Sequence, residues 1–315
     1  MSQFDLVPPD YATSKVWLDG ELVDGSDADV SVMTHTLHYG LGVFEGIRAY
    51  EGEQGPAVFR LREHIERLFR SAKMVRMDIP FTVDEVCEGC TSALAANGLK
   101  EGYLRPLVFI DDGKRGLAAM NNRIRVAIVV WPWGAYLGDE GIQKGIRAQI
   151  AGWTRMNPRS FMPKGKICGQ YVNSIMAKRD ALLAGYDEAI LLDDEGFVSE
   201  ASGENIFIVE HGRVTTPPRS SPILEGITRS AIIDICRHFE IPIEAGRFPR
   251  THLYTADEVF LTGTAAEVTP VREVDGYSVG RGYRGPLTEK IQSAYFDAVR
   301  GRLPGFEEWL TTYKV

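Results

Sequence analysis

A lysine, a carboxylate and two turns are the parts of this chain whose residue types could do chemistry together. Lys166 lies in the segment Lys-Gly-Lys-Ile-Cys-Gly-Gln-Tyr (164–171), and Glu200 follows 34 positions later. A turn and helix start at 226–229 and a small-residue turn at 262–266 come after them. A lysine amine can form a Schiff base, a carboxylate can keep a pyridine nitrogen protonated, and turns rich in backbone N–H groups can hold a phosphate. These are the parts needed to hold pyridoxal phosphate.

The nucleophile role is open between two lysines. In an extended segment Lys164 and Lys166 would point to one face, so their spacing alone does not choose between them. The chain has only ten lysines, so there are few other candidates. Gly169 and Tyr171 just downstream, and Glu200 at the end of a predicted strand, favour a functional lysine in this segment over a solvated surface lysine.

Length, charge and composition set the broad class of the protein. A chain of 315 residues can bury a sizeable core and is long enough for two domains. Its net charge of −8 argues against binding to nucleic acid. No apolar run approaches the roughly 18 residues that cross a bilayer, and the N-terminus does not resemble a signal peptide. Four cysteines do not make a disulfide framework. We therefore expect a soluble cytoplasmic protein with no membrane or nucleic-acid partner.

Cys87 and Cys90 form a Cys-x-x-Cys pair inside a predicted helix that runs from Thr82 or Asp84 to Gly98. Two small half-buried residues on one helical face are the simpler interpretation. A zinc site is not expected, because no second Cys or His pair lies at ligand spacing, and we predict no metal. A redox role for the pair stays open.

Hydrophobic patterning predicts an alternation of helices and strands. Strands are predicted at 15–25 as a hairpin, at 29–52 around a turn near Tyr39, at 103–112, 124–133 and 145–153, in a meander over 189–218, and at 257–280. Helices are predicted at 60–75, 82–98, 171–186, 226–241 and 287–302. A break at 132–140 is the predicted linker. It separates a small N-terminal domain, 1–131, from a large C-terminal cofactor-binding domain, 141–315.

Three motifs resemble a known family. Glu-Ala-Ser-Gly-Glu-Asn-Ile-Phe (200–207), Val-Thr-Thr (214–216) and Leu-Glu-Gly-Ile-Thr-Arg (224–229) look like the full signature of the class-IV pyridoxal-phosphate aminotransferases. The segment 166–193 is similar to the one around that family's Schiff-base lysine. The resemblance extends from about residue 16 to about residue 300. It implies the mixed α/β, two-domain architecture of fold type IV, with pyridoxal 5'-phosphate at the domain interface.

The resemblance also implies residue roles. Lys166 would carry the cofactor and move the proton, as a lysine of lowered pKa does. Six residues match the family's cofactor-binding positions: Arg67, Tyr171, Glu200, Ile227, Thr228 and Thr264. Ile227 and Thr228 would hold the phosphate at a helix start, where the dipole favours an anion. From spacing alone Arg67 lies off its helix's apolar stripe and reads as a solvated arginine, so only the resemblance assigns it to the phosphate.

Local patterns narrow the amino donor. Class IV also contains D-amino-acid aminotransferases, R-selective amine transaminases and aminodeoxychorismate lyase. The segments 43–48, 103–106 and 133–137 resemble the branched-chain-amino-acid aminotransferase versions. Eight residues then match substrate-binding positions: Tyr39, Phe44, Arg48, Tyr103, Arg105, Leu117, Trp133 and Ala265. The expected reaction moves an amino group between L-Leu, L-Ile or L-Val and 2-oxoglutarate by a ping-pong path. Its alternatives are a D-amino-acid aminotransferase and an R-selective amine transaminase of the same fold.

The substrate positions carry two further expectations. Arg105 would bind the second carboxylate of glutamate. Tyr39 and Leu117 resemble residues that reach a neighbouring subunit's pocket, which implies at least a homodimer and leaves a hexamer of dimers open. The chain departs from the family at Lys114 and Arg115, where an apolar or glycine-rich loop is usual. An inward Arg115 would broaden the substrate range, whereas a solvent-facing one would change nothing.

Overall fold

A computed structural model describes residues 13–133 and 138–315 of the chain. Contacts divide the chain into two compact units. The first unit contains the residues up to Trp133, Gly165–Gln170 and Ala298–Val315. The second unit contains the described part of Gly134–Lys164, together with Tyr171–Asp297.

The described residues form eight α-helices and 17 strands. Up to Trp133 these are β1 (Lys15–Leu18), β2 (Glu21–Asp24), α1 (His35–Tyr39), β3 (Gly42–Phe44), β4 (Ile47–Gly52), β5 (Gly55–Phe59), α2 (Leu61–Met74), α3 (Val83–Ala96), β6 (Gly102–Ile110) and β7 (Ile124–Trp131). The others are α4 (Gly138–Lys144), β8 (Ile146–Ile150), α5 (Tyr171–Leu183), β9 (Glu188–Leu192), β10 (Val198–Ala201), β11 (Asn205–Glu210), β12 (Arg213–Thr216), α6 (Ile227–His238), β13 (Ile243–Ala245), α7 (Thr251–Thr255), β14 (Glu258–Gly263), β15 (Glu267–Val274), β16 (Tyr277–Ser278), α8 (Pro286–Val299) and β17 (Leu310–Thr312).

The first unit is an antiparallel sheet with α2 and α3 contributing to its core. The strand order is β17-β5-β4-β6-β7-β1-β2, and β3 pairs with β6. The stripe predicted for α2 consists of Ile65, Leu68, Ala72 and Val75. The first three are buried in this core, and Val75 is partly buried and packs against it. A capping box starts α3, in which Thr82 Oγ1 accepts the Glu85 N–H and the Glu85 carboxylate accepts the Thr82 N–H. This cap explains why the predicted helix begins where it does.

The strand predicted near residue 29 is wrong, since the chain forms a loop and then the short helix α1. Val30 and Val32 alternate with polar residues as they would in a strand, but both side chains are exposed and Val32 is 79% exposed. Thr36 fixes the helical turn instead, donating from Oγ1 to Leu41 O at 2.7 Å and accepting the Ile110 N–H at 2.8 Å. A tertiary contact therefore overrides the period-two pattern.

The division into two units differs from the predicted domain bounds at two places. Residues 165–170 and the last 18 residues belong to the first unit rather than to one continuous C-terminal domain. The reason at the C-terminus is that β17 pairs antiparallel with β5, which provides hydrogen-bond partners at what would otherwise be a sheet edge. Most of the predicted linker, 134–137, lies outside the described residues, and α4 follows it.

The second unit is a mixed sheet with helices. Its strand order is β10-β9-β8-β15-β14-β11-β12-β13, with β16 beside β15. The pairs β8–β9, β8–β15 and β12–β13 are parallel and the others antiparallel. The helix predicted at 171–186 is present as α5, and Gly185, with a φ of 83°, ends it as expected. Within the described residues no helix is both long enough and apolar enough to cross a membrane.

Candidate active site

The backbone around Lys166 is fixed on both sides by buried elements of the first unit. The Lys166 N–H donates to Ser71 Oγ on α2 at 3.0 Å, and its carbonyl accepts the Phe44 N–H of β3 at 3.1 Å. The next residue, Ile167, bridges to Val43 and is 1% exposed. The half-buried Lys166 side chain places its Nζ 4.8 Å from the centre of the Phe44 ring. Its amine is therefore held against an aromatic face on a rigid backbone.

Lys164 has a different environment in the second unit. Its ammonium donates to the carbonyl oxygens of Arg219 and Ser221, the latter at 3.2 Å, and lies 3.8 Å from the Glu225 carboxylate. These acceptors occupy the amine of Lys164, although burial lowers its pKa from the ordinary value. The geometry thus separates the two lysines that spacing left equivalent, and it favours Lys166 as the nucleophile.

Arg67 is buried rather than solvated. Its guanidinium makes two bonds to Glu45, Nε to Oε1 at 2.7 Å and Nη2 to Oε2 at 2.8 Å, and Glu45 is fully buried. The ring Nδ1 of His64 lies 2.8 Å from Glu45 Oε2. Burial raises the pKa of Glu45, but the charge and hydrogen bonds of Arg67, with those of His64, outweigh it and lower that pKa well below its usual range. Glu45 therefore stays ionised and fixes the fork of Arg67.

The sequence does contain a pattern that points to this group. His64, Arg67 and Ser71 lie at positions i, i+3 and i+7 of α2, which places them on one polar stripe. All three are buried. The apolar stripe of this helix gives no sign of His64, Ser71 or Glu45, whereas the polar stripe marks the first two.

Arg105 lies among aromatic rings of the first unit. Its guanidinium carbon is 4.7 Å from the centre of Phe44, 5.3 Å from that of Tyr103 and 5.8 Å from that of Trp131. Arg105 Nη2 donates to the Tyr103 hydroxyl at 3.1 Å, whereas Nε is buried and has no hydrogen-bond partner among the described residues. A buried donor of this kind is suited to a carboxylate.

Trp133 and Arg48 extend this aromatic group. The Trp133 ring lies 4.8 Å from Tyr103 and 5.4 Å from Trp131, measured between ring centres. Arg48, predicted to bind substrate, is buried and donates from Nη2 to the Trp133 carbonyl at 2.8 Å. Gly46 is required beside Tyr103, because a Cβ there would lie 2.0 Å from the tyrosine oxygen. The structure thus brings together Phe44, Arg48, Tyr103, Arg105, Trp133 and Lys166 within the first unit.

Tyr39 and Leu117 lie outside that group of residues in the first unit. Tyr39 is 48% exposed and its ring lies 4.6 Å from His35, while Leu117 is 89% exposed. The His35 Nε2 lies 3.0 Å from the Gly116 carbonyl oxygen, so α1 and the loop that carries Leu117 are adjacent. Arg115 in that loop is exposed and forms an ion pair with Asp112 at 2.7 Å. Arg115 therefore faces solvent.

Glu200 is held at several points within the second unit. A register shift between Val198 and Glu200 interrupts the pairing of β10 with β9. Glu200 Oε2 accepts the Leu224 N–H at 2.9 Å and the Asn205 side-chain amide at 3.2 Å, and Oε1 lies 2.7 Å from Arg155 Nε. Glu200 and Arg155 are both buried. Asn205 belongs to the same motif as Glu200 and can be predicted from it. Arg155 lies outside the motif, and no sequence pattern predicts its contact with Glu200.

The start of α6 is suited to an anion. Its N-cap residue, Gly226, makes no side-chain cap bond, and the first turn contains no acidic residue. A Cβ on Gly226 would lie 2.0 Å from Asn205 Oδ1, so a larger residue there would displace the Asn205 side chain. Ile227 and Thr228, the predicted phosphate residues, are buried at this N-terminus. Backbone N–H groups and the helix dipole at such a start bind phosphate well.

Three other predicted residues lie in the second unit. Tyr171 is half-buried and begins α5. Thr264 and Ala265 form the half-buried turn between β14 and β15, next to Thr262, whose Oγ1 is buried without a hydrogen-bond partner among the described residues. An amine, a fixed carboxylate and hydroxyl- and amide-lined turns are the groups that pyridoxal phosphate requires, so the residues present fit this cofactor.

The Cys87–Cys90 pair has no features of a redox site. Cys90 is fully buried, and burial raises the pKa of the Cys87 thiol to about 11 and that of Cys90 well above its ordinary value. The thiolate is the reactive form, and raised pKa values keep both sulfurs as thiols near neutrality. Both side chains pack in the core of the first unit.

These groups define a pyridoxal-phosphate enzyme, and comparison with known proteins specifies its family. The family described as Amino-transferase class IV matches residues 42–274. The branched-chain-amino-acid aminotransferase of Pseudomonas aeruginosa is 47% identical over 299 residues, 95% of this chain and 97% of the relative. The chain belongs to the class IV aminotransferases, and it is a pyridoxal-phosphate-dependent aminotransferase.

Solved structures agree in fold. The Escherichia coli branched-chain amino acid aminotransferase matches with a TM-score of 0.93 and 43% identity, covering 95% of this chain and 99% of that one. The branched-chain amino acid aminotransferase from Thermobaculum terrenum, solved in its PLP-form, matches with a TM-score of 0.89 and 32% identity, covering 96% and 98%. The predicted mixed α/β, type IV fold is thereby confirmed.

A buried carboxyl pair in the second unit leads to a prediction on stability. Glu188 is fully buried and accepts a hydrogen bond from the Lys178 ammonium at 2.5 Å, and Glu204 is 6% exposed. Burial, and then the charge of Glu188, raise the pKa of Glu204 from 4.5 to about 8, against the attraction of Lys178. The folded chain therefore keeps a proton on Glu204 that the unfolded chain releases above its ordinary pKa.

Stability linked to this proton is fully present below about pH 4.5 and is lost as pH rises toward 8. We expect Glu204→Gln to remove that dependence, so the free energy of unfolding of the wild type should fall relative to the variant by about 2–3 kcal/mol between pH 5.5 and 7.5. Urea unfolding at several pH values measures this, with the exposed Glu53→Gln as control. Parallel pH profiles for wild type and Glu204→Gln would contradict it.

Proposed function

We propose that this enzyme is a branched-chain-amino-acid aminotransferase, which moves the amino group reversibly between L-Leu, L-Ile or L-Val and 2-oxoglutarate by a ping-pong mechanism. The names of the relatives at 44–47% identity support this choice within class IV. The observation that carries it is the position of Arg105 among Phe44, Tyr103 and Trp131. Arg105 therefore presents a cation next to apolar aromatic surfaces.

The two substrates make opposite demands on one pocket. The side chains of leucine, isoleucine and valine gain by contact with aromatic surfaces, as all apolar groups do when they leave water. The side-chain carboxylate of glutamate or 2-oxoglutarate must instead be paired, because burying an unpaired charge costs several kcal/mol. Arg105 lies against rings and keeps a buried Nε donor, so it meets both demands.

The other residues have roles that follow from class IV chemistry. Pyridoxal phosphate, when bound, supplies a ring that absorbs the electrons released at the substrate's α-carbon. Lys166 Nζ would hold the cofactor covalently, and once the substrate's amino group has displaced it, the freed amine would accept the proton from that carbon. Glu200, kept in place by Arg155 and Leu224, pairs with the pyridine nitrogen. The phosphate would be bound by Arg67, Ile227, Thr228 and Thr264. Tyr171 would bind the phenolic oxygen, and Ala265 would contact the substrate.

We also propose that the enzyme works in the cytoplasm as at least a homodimer. The exposed apolar side chains near α1 and the adjacent loop support a dimer, in which Tyr39 and Leu117 would reach a neighbouring subunit's pocket. Light scattering of the wild type and of Leu117→Asp tests this. A monomeric wild type would contradict it.

Absorbance distinguishes the proposed function from its alternatives. The purified protein with pyridoxal phosphate should have a visible band that L-leucine bleaches and that 2-oxoglutarate then restores. Bleaching by D-alanine alone would indicate a D-amino-acid aminotransferase. Bleaching only by a simple chiral amine without a carboxylate would indicate an amine transaminase.

A prediction at Arg105 tests the dual use of the pocket. Arg105→Ala should slow the half-reaction with glutamate by about 10²–10³-fold, the effect of leaving a buried carboxylate unpaired, and the half-reaction with leucine by at most about tenfold. Single-turnover absorbance measures each half-reaction. The solvent-facing Arg115→Ala is the control and should leave both rates unchanged. Equal losses in both half-reactions would assign Arg105 to the α-carboxylate or to the fold.

A further inference from the structure

Lys164 binds a loop that also contacts Glu200. The loop, defined here as residues 217–225, runs from the end of β12 to the residue before Gly226. The Lys164 ammonium donates to the carbonyl oxygens of Arg219 and Ser221, and its Nζ is 3.8 Å from Glu225. Glu225 also pairs with Arg219 at 2.6 Å. Lys164 thus crosslinks the middle of the loop to its end.

The same loop positions two predicted parts of the cofactor site. The Leu224 N–H donates to Glu200 Oε2 at 2.9 Å, and the Leu224 carbonyl accepts the Asn205 side chain at 2.9 Å. Two residues later, Gly226 caps the start of α6. Any shift of the loop would therefore move the hydrogen-bond donor on Glu200 and the phosphate-binding helix start together.

The Lys164 amine is held by hydrogen bonds and by a nearby carboxylate. Its side chain is 31% exposed, and burial, with the charges of Arg229 and Arg219, lowers the pKa of Lys164 against the opposing attraction of Glu225 and Glu200. Three of its neighbours are acceptors, whereas the competing lysine, Lys166, lies against an aromatic ring. Lys164 is consequently placed to bind oxygen atoms of the loop rather than to attack a carbonyl.

We propose that Lys164 is a positioning residue, which clamps the 217–225 loop so that the Leu224 N–H stays on Glu200 and the start of α6 stays at the phosphate. The second half of this inference rests on the proposed function. The first half, the clamp itself, is independent of it. Removal of the ammonium should loosen the loop, weaken cofactor binding and slow catalysis without removing the covalent link through Lys166.

Hydrogen exchange of the cofactor-free protein tests the clamp. In Lys164→Met the loop amides between residues 219 and 226, which include Leu224 and exclude Pro222, should exchange at least about tenfold faster, because opening of the loop becomes easier. Lys164→Arg retains the charge and should exchange within about threefold of the wild type. Lys144→Met, which removes an exposed lysine of the second unit, is the control. Unchanged exchange in Lys164→Met overturns the proposal.

Cofactor binding tests the consequence. Lys164→Met should bind pyridoxal phosphate about tenfold more weakly, with a lower kcat for the leucine half-reaction and little change in KM. Its melting temperature without cofactor should stay near that of the wild type, and Glu225→Gln should show the same effects in weaker form. Faster exchange with unaltered cofactor affinity would overturn the positioning role. A wild type that binds no pyridoxal phosphate would instead reject the proposed function, while the exchange result still decides the clamp.

Discussion

Replacing Lys166 by alanine is expected to abolish the visible band of the bound cofactor and to lower the transamination rate by at least about 10³-fold, because the covalent link and the proton-transferring amine are lost together. The Lys166 backbone bonds to Ser71 and Phe44 do not involve the side chain, so the fold should be retained. Absorbance and single-turnover kinetics with L-leucine measure the effect.

The matched control for this experiment lies two residues away. Lys164→Ala should keep the visible band and about a tenth or more of the rate, since its ammonium binds loop carbonyls rather than the cofactor. An added external amine should restore part of the rate to Lys166→Ala and none to Lys164→Ala. If Lys164→Ala is the variant without a band, the assignment of the nucleophile is wrong.

Replacing Glu200 by glutamine is expected to leave cofactor bound but to slow each half-reaction by about 10²–10³-fold, because a neutral amide does not keep the pyridine nitrogen protonated. Glutamine is close in shape and its oxygen still accepts the Leu224 N–H. The change also leaves the buried Arg155 without its carboxylate, which should destabilise the fold by about 3 kcal/mol.

A second buried glutamate separates these two effects. Glu258 accepts the N–H groups of Leu287 and Thr288 at 3.0 and 2.6 Å, at the start of α8. Glu258→Gln should therefore lower the free energy of unfolding without a comparable loss of rate. Urea unfolding and single-turnover kinetics on both variants make the comparison. Near-normal turnover in Glu200→Gln would remove the role assigned to that carboxylate.

The surroundings of Arg105 can be predicted from the sequence, whereas those of Arg67 cannot. Arg105 lies among aromatic side chains because Tyr103 and Trp131 belong to paired strands. The hydrophobic pattern of the sequence predicts both strands. Spacing makes Arg67 look solvated, because the apolar stripe of α2 excludes it. Its actual burial depends on Glu45, which lies 22 positions earlier and meets it only through packing of β3 and α2.

Several features of the protein depend on local interactions and can be predicted from the sequence. The helices at 171–186 and 226–241, the capping box at Thr82 and the α/β class follow from periodicity, caps and turn residues within a few positions of one another. The family, and with it the cofactor, can be predicted from the motifs at 200–207, 214–216 and 224–229, and the family model matches residues 42–274.

Tertiary structure alone decided the features that depend on residues far apart in the chain. It joined β17 to β5, turned a predicted strand into α1, paired Arg155 with Glu200, and tied Lys164 to carbonyl oxygens 55 and 57 positions away. A lysine or arginine has the same side chain in water and in a buried ion pair. Which of the two it occupies is set by the groups that packing brings to it, and local sequence patterns do not contain that information.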